Sequence, residues 1–173
     1  RIDSSIASQR FDFFLSFGSK KKIKFLYAPR LPYRTNRNNI FIRGQSNLVE
    51  IPPSATIIPF AGTSMRIMPK ITGCHQKILH LEAKLNRKPV VFIIHPNEII
   101  DESNEPRTIK RRSDNFIAYL LSDLLRAKLK TRNLGENALP IYEKLISYYI
   151  KREYTFTTMQ EYVCSNKGKI SNL

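Results

Sequence analysis

Apolar residues run unbroken from Val90 to Ile94, between Lys88-Pro89 on one side and His95-Pro96 on the other. A short, mostly β-branched run of this kind suits a strand covered on both faces, as in a parallel sheet flanked by helices, so Val90–Ile94 is predicted as a central, doubly buried strand. Upstream the period lengthens. Ile71, Cys74, Ile78, Leu79, Leu81, Ala83 and Leu85 recur near helical spacing, and Pro69 suits a first helical turn, which predicts a helix from Pro69 to about Asn86–Lys88. Leu48–Ile51, closed by Pro52-Pro53, reads as a short strand beside Val90–Ile94. Strand, helix and strand in that order imply a parallel crossover and an α/β fold. Farther along, Phe116, Tyr119, Leu120, Leu124 and Ala127 predict an amphipathic helix that Gly135 stops. Ile141, Leu145 and Tyr149 predict another, with Pro140 in its first turn. Tyr154–Phe156 reads as a last short strand, and Thr157-Thr158 as the cap of a turn running through Tyr162.

The pattern fails in two places. Arg10 to Asn47 carries Gly18, Pro29, Pro32, Gly44 and several Asn between short apolar pieces, which predicts a long loop excursion of the kind that commonly bears function. Residues 163–173 form a polar tail with no packing signal, leaving 1–162 as one domain or part of one.

Charge sharpens the first of these. The formal net charge is +15 and the isoelectric point about 10.0. No acidic residue occurs from Phe13 to Val49, while Lys20, Lys21, Lys22, Lys24, Arg30, Arg34, Arg37 and Arg43 all lie there. A second basic cluster, Arg107, Lys110, Arg111 and Arg112, precedes a predicted helix, where the dipole favours the opposite sign. Such a balance raises nucleic acid as a partner. Against that, Phe11, Phe13, Phe14 and Phe17 precede the basic run instead of interleaving with it, and no nucleic-acid-binding motif occurs. Cys74 and Cys164 lie far apart without a second pair, and read as free thiols of a reducing compartment. No apolar run is long enough to span a bilayer, and the start at Arg1 reads as a cut, so the expected location is cytoplasmic or peripheral to a membrane.

His95 is the leading candidate for chemistry, because barrel and open α/β folds place reactive groups at the carboxyl ends of strands. Its competing role is a loop cap at the strand end. His75 and His80, five apart on one predicted helix, do not share a face and make a poor metal pair.

Four pieces in order then carry a resemblance: Ile2-Asp3-Ser4-Ser5-Ile6, Phe60 to Pro69, Val91 to Glu98, and Thr155 to Met159. Together they resemble the carboxyl-terminal half of polysaccharide deacetylases of the NodB-homology family. The resemblance implies the later part of a distorted (β/α) barrel and hydrolysis of an N-acyl group on an amino sugar in a glycan, assisted by a divalent metal, usually zinc. His95 falls on the family's general acid, Asp3 near a carboxylate that tunes the base, and Glu98 on the motif that closes one side of the substrate groove. The metal-holding Asp and His-x-x-x-His motifs do not occur, so the chain is expected to supply the general-acid side of a site, to be inactive alone, and to have the upstream half of the barrel as a partner. The acid-free excursion would then bring Arg30, Arg34 and Arg37 to the groove, favouring an anionic or lipid-phosphate-linked sugar. A non-catalytic carbohydrate-binding or scaffold remnant of such a barrel is the alternative, with a basic nucleic-acid-binding module behind it.

Overall fold

The computed structural model describes residues 1–8, 23–100, 128, 129, 131–166, 168 and 170. The predicted helix from Phe116, the Arg107–Arg112 cluster and the phenylalanines at 11–17 lie outside the described residues.

A small sheet gathers segments distant in sequence. β1 (Ile2–Asp3) pairs in parallel with β3 (Val49–Glu50), with Ile2 opposite Val49 and Asp3 opposite Glu50. β2 (Tyr33–Arg34) pairs with the other edge of β3 in antiparallel sense, so the order is β1-β3-β2. A short helix, α1 (Ile23–Tyr27), precedes β2.

α2 (Gly62–Ile67) and α3 (Pro69–Asn86) then lead to the Val90–Ile94 segment. That segment is extended. Ser54 N–H donates to Val91 O (3.0 Å), Ile93 N–H to Phe60 O (3.3 Å) and Gly62 N–H to Ile93 O (2.7 Å), and Ala61 bridges Ile93 in parallel. Its burial differs from the expectation of a doubly covered strand, since all of Val90 to Ile94 is only half-buried. The cause is one-sided pairing: among the described residues nothing bonds to the backbone of Phe92, which points the other way.

α4 (Leu139–Ile150) follows a 3₁₀ turn at Gly135–Ala138, where Gly135 takes a positive φ of 66°. The main core lies between α2, α3 and α4, built from Phe60, Met65, Leu79, Leu145 and Tyr149, with Val90 and Phe92 packed against it. A second cluster joins Val49 and Ile51 to Val91 and to Tyr162 and Val163 of α5 (Met159–Ser165). Alternate side chains of the extended segment thus serve opposite clusters, as a pleat requires.

Three expectations change. Residues 154–156 join no ladder among the described residues, and Phe156 is 58% exposed. The described part of the 163–173 tail does pack, since α5 runs to Ser165 and Ile170 is buried against Val49 and Ile51. The α5 start is as read: Thr158 Oγ1 accepts from Glu161 N–H (3.2 Å), and Glu161 Oε2 accepts from Thr158 N–H (2.8 Å). α3 has the expected bounds, but Leu79 is its one residue of the apolar list that is fully buried. Its inner face is Thr72, His75, Gln76 and Leu79, while Ile71, Cys74, Ile78, Leu81 and Leu85 face solvent. Of the inward polar side chains Gln76 has a hydrogen-bond partner, its Nε2 donating to Leu145 O (2.8 Å); Thr72 Oγ1 and both His75 ring nitrogens have none among the described residues, and the His75 ring meets the Phe60 ring edge-on, 5.5 Å between centroids.

Candidate functional site

The extended segment delivers His95 to its carboxyl end, where the side chain is exposed. A 3₁₀ turn, Pro96–Glu98, follows at once, and Glu98 N–H donates back to His95 O (2.9 Å). Pro96 suits this start because its φ is already set and it has no N–H to lose.

Glu98 folds back beneath the turn and is only 4% exposed. Its Oε2 accepts the His95 N–H (3.1 Å), and its Oε1 accepts the Thr63 hydroxyl and Arg66 Nη2, the latter at 3.3 Å. Arg66 is equally buried, and donates from Nη1 to Arg132 O (2.9 Å), while Asn133 Nδ2 donates to Arg66 O (2.8 Å). The backbone before and after His95 is therefore pinned by one carboxylate that reaches α2. Gly62 makes room for it: a Cβ there would overlap Glu98 Oε2 and stand 2.9 Å from Ile94 Cγ1. Glu98 was expected on the substrate side of a groove. Its burial and its ion pair make it an anchor of the His95 turn instead.

No known protein family, curated relative or solved structure matches this chain.

At the end of β1, Asp3 turns its carboxylate to the loop that follows. Oδ1 accepts Ser4 N–H (2.9 Å) and Oδ2 accepts the Ser5 hydroxyl (2.9 Å). Glu50, its register partner, has no exposed surface, and Oε1 accepts the N–H groups of Ser5 (3.1 Å) and Ile6 (2.8 Å). Burial, and after it the nearby Asp3 charge, push the Glu50 carboxyl above the usual carboxylate range against the opposing pull of those two N–H groups. Tyr33, on the other side of Glu50, has its hydroxyl pushed up by burial and by both acids.

The three arginines of the excursion have separate settings. Arg30 grips Glu82 of α3 with two bonds (2.7 and 2.6 Å) and donates to Ala55 O (2.7 Å), which ties the loop before β2 to that helix. Arg34 lies in β2 and donates to Ser46 O (3.3 Å), and Arg37 is exposed. Lys88, buried, also reaches Glu82 (3.3 Å). Beside this cluster His75 is held neutral, its pKa lowered to about 4 by burial and then by the Arg30 and Lys88 charges.

A groove of about 690 Å³ opens on the unpaired side of the extended segment, between Val90, Phe92 and Ile94 and the wall formed by Tyr142, Tyr154 and Phe156. Phe92 stacks on Tyr142 at 5.9 Å between centroids. Lys84, Arg87, Lys88 and Arg152 line it, with Glu153 as the acid among the lining residues. Sequence reading missed this wall and Glu50, and named Glu98 without foreseeing its burial. The signals were the tyrosines repeated from Tyr142 to Tyr154, and a lone Glu50 inside an otherwise apolar strand. Among the described residues no three His, Cys, Asp or Glu converge where a metal ion could sit, so those side chains do not fit a zinc centre. No helix among them is long and apolar enough to cross a membrane.

Proposed function

We propose that this chain forms the general-acid side of a polysaccharide-deacetylase-like hydrolase, which removes an N-acyl group from an amino sugar. The observation that carries the reading is His95: an exposed imidazole at the carboxyl end of an extended segment, its backbone fixed by a buried carboxylate. Amide hydrolysis adds water to the acyl carbon and then breaks the C–N bond. An amine anion is too poor a leaving group at neutral pH, so the nitrogen must gain a proton as that bond breaks. Protonated His95 supplies it from a ring N–H, the C–N electron pair stays with nitrogen, and the acyl group leaves as the carboxylic acid. Activation of the water is not assigned to the described residues, among which no three His, Cys, Asp or Glu converge to hold the family's metal.

The test is acetate release from an N-acetylated chito-oligosaccharide by the complete gene product. His95→Ala is expected to lower kcat roughly 10²- to 10⁴-fold, while an aryl acetate ester, whose phenolate leaves without a proton, is cleaved nearly as fast as by wild type. Equal losses for both substrates, with an unchanged pH profile, would make His95 a structural residue only.

A binding-only reading, the carbohydrate-binding remnant of such a barrel, is favoured by the groove, which aromatic and basic side chains line together. It predicts that the wild type binds the oligosaccharide without releasing acetate.

A further inference from the structure

We propose that Glu50 is a positioning residue for Asp3: its carboxyl grips the turn leaving β1 from inside the sheet and so fixes where the Asp3 carboxylate stands. The inference rests on the reading of Asp3 as part of the reactive site.

Asp3 and Glu50 are opposite one another in a parallel ladder, so their side chains leave the same face of neighbouring strands, about 4.8 Å apart at the backbone. Ser5 is the link between them. Its N–H is held by Glu50 Oε1 and its hydroxyl by Asp3 Oδ2, while Ile6 N–H adds a second bond to Glu50. Ser4 fastens the same turn to the sheet by donating from Oγ to Ile51 O (2.7 Å). Any drift of the turn would therefore carry Asp3 with it.

A carboxyl group with no exposed surface is an expensive way to fill this position, and an apolar side chain of similar size would avoid its desolvation. Tyr33 does not relieve that cost, because its hydroxyl donates to Ile40 O (2.8 Å). Among the described residues Glu50 Oε2 has no hydrogen-bond partner at all. What Glu50 contributes is an acceptor aimed at two backbone N–H groups. A neutral carboxyl provides it as well as an ionised one, which agrees with the upward push that burial gives this acid.

The experiment compares Glu50→Gln and Glu50→Ala in the complete gene product, by steady-state kinetics on the N-acetylated oligosaccharide and by amide hydrogen exchange at Ser5 and Ile6. Gln keeps an acceptor oxygen. It is expected to retain kcat within about threefold and to keep both amides protected. Ala is expected to lower kcat roughly 10- to 100-fold at nearly constant KM, the cost of a displaced reactive group, and to release protection at Ser5 and Ile6 alone. Loss in the Gln variant as deep as in Ala, or Ser5 and Ile6 amides still protected in Ala, overturns the proposal. If Ala does not fold, the Gln result decides by itself. Released amides in Ala with kcat unchanged in both Glu50→Ala and Asp3→Asn would keep Glu50 as the grip on the turn and remove Asp3 from the reaction.

Discussion

Where the chain leaves the extended Val90–Ile94 segment, a buried carboxylate, Glu98, is met by the guanidinium of Arg66; where it leaves β1, an equally buried acid, Glu50, is met by two backbone N–H groups. Both fasten a turn that follows an extended segment and bears a candidate reactive side chain. They differ in how the charge is handled. The first site matches a negative charge with a positive one brought in from α2, and it holds only while both partners are present. The second brings no cation, and its carboxyl is pushed toward the neutral form by burial. A buried turn can thus be held either by pairing a charge or by suppressing it, and the two solutions break under different insults.

The largest effect should follow from removing the cation at the first site. Arg66→Met leaves Glu98 buried and unpaired, and is expected to cost about 3 to 5 kcal/mol in urea unfolding, partly recovered in the double variant with Glu98→Gln. A loss below about 1 kcal/mol would mean that the pair is not desolvated, and the contrast with Glu50 would fail. Next in size is Gly62→Ala, whose methyl would overlap the Glu98 carboxylate. An expected loss of roughly 2 kcal/mol would locate the strain there, provided that Glu98→Gln leaves it in place and Glu98→Ala relieves it.

The smallest effect sharpens the second site through pH. Glu50 has a raised pKa in the folded chain, so below the unfolded carboxylate value both states carry the proton and nothing is lost. As pH rises from there through the folded value, the unfolded chain gives up its proton first and stability falls. Glu50→Gln should therefore match the wild-type Tm near pH 4 and exceed it near pH 7. A Gln variant less stable than wild type at pH 7 would show that Glu50 is held as an anion.

Much of the element order was legible because periodicity reports on local structure. The α3 bounds, Pro140 in the first turn of α4, and the Thr158 cap each rest on a few neighbouring residues. The α3 face was not legible. Its apolar stripe and its inward polar residues have equal claims by spacing, and what the inner face meets, Leu145 O at Gln76 and the Phe60 ring at His75, lies outside the helix. The candidate site divides in the same way. His95 was visible as the residue that ends an apolar run, whereas the roles of Arg30 and Glu98 depended on partners that no spacing announces, Glu82 and Arg66.

The outward stripe of α3 has a consequence for the chain in bulk. Ile71, Cys74, Ile78, Leu81 and Leu85 alternate at three and four residues, and the isoleucines and leucines among them are 53 to 86% exposed, while the molecule as a whole carries +15. Short-range attraction along the stripe is thus opposed by long-range repulsion between copies. Salt weakens the second and leaves the first intact, since the screening length contracts from about 30 Å at 0.01 M to about 3 Å at 1 M. The colloidal behaviour of this chain is accordingly expected to run opposite to salting-in: light scattering should find concentrated samples dispersed in dilute buffer and coalescing as ionic strength rises.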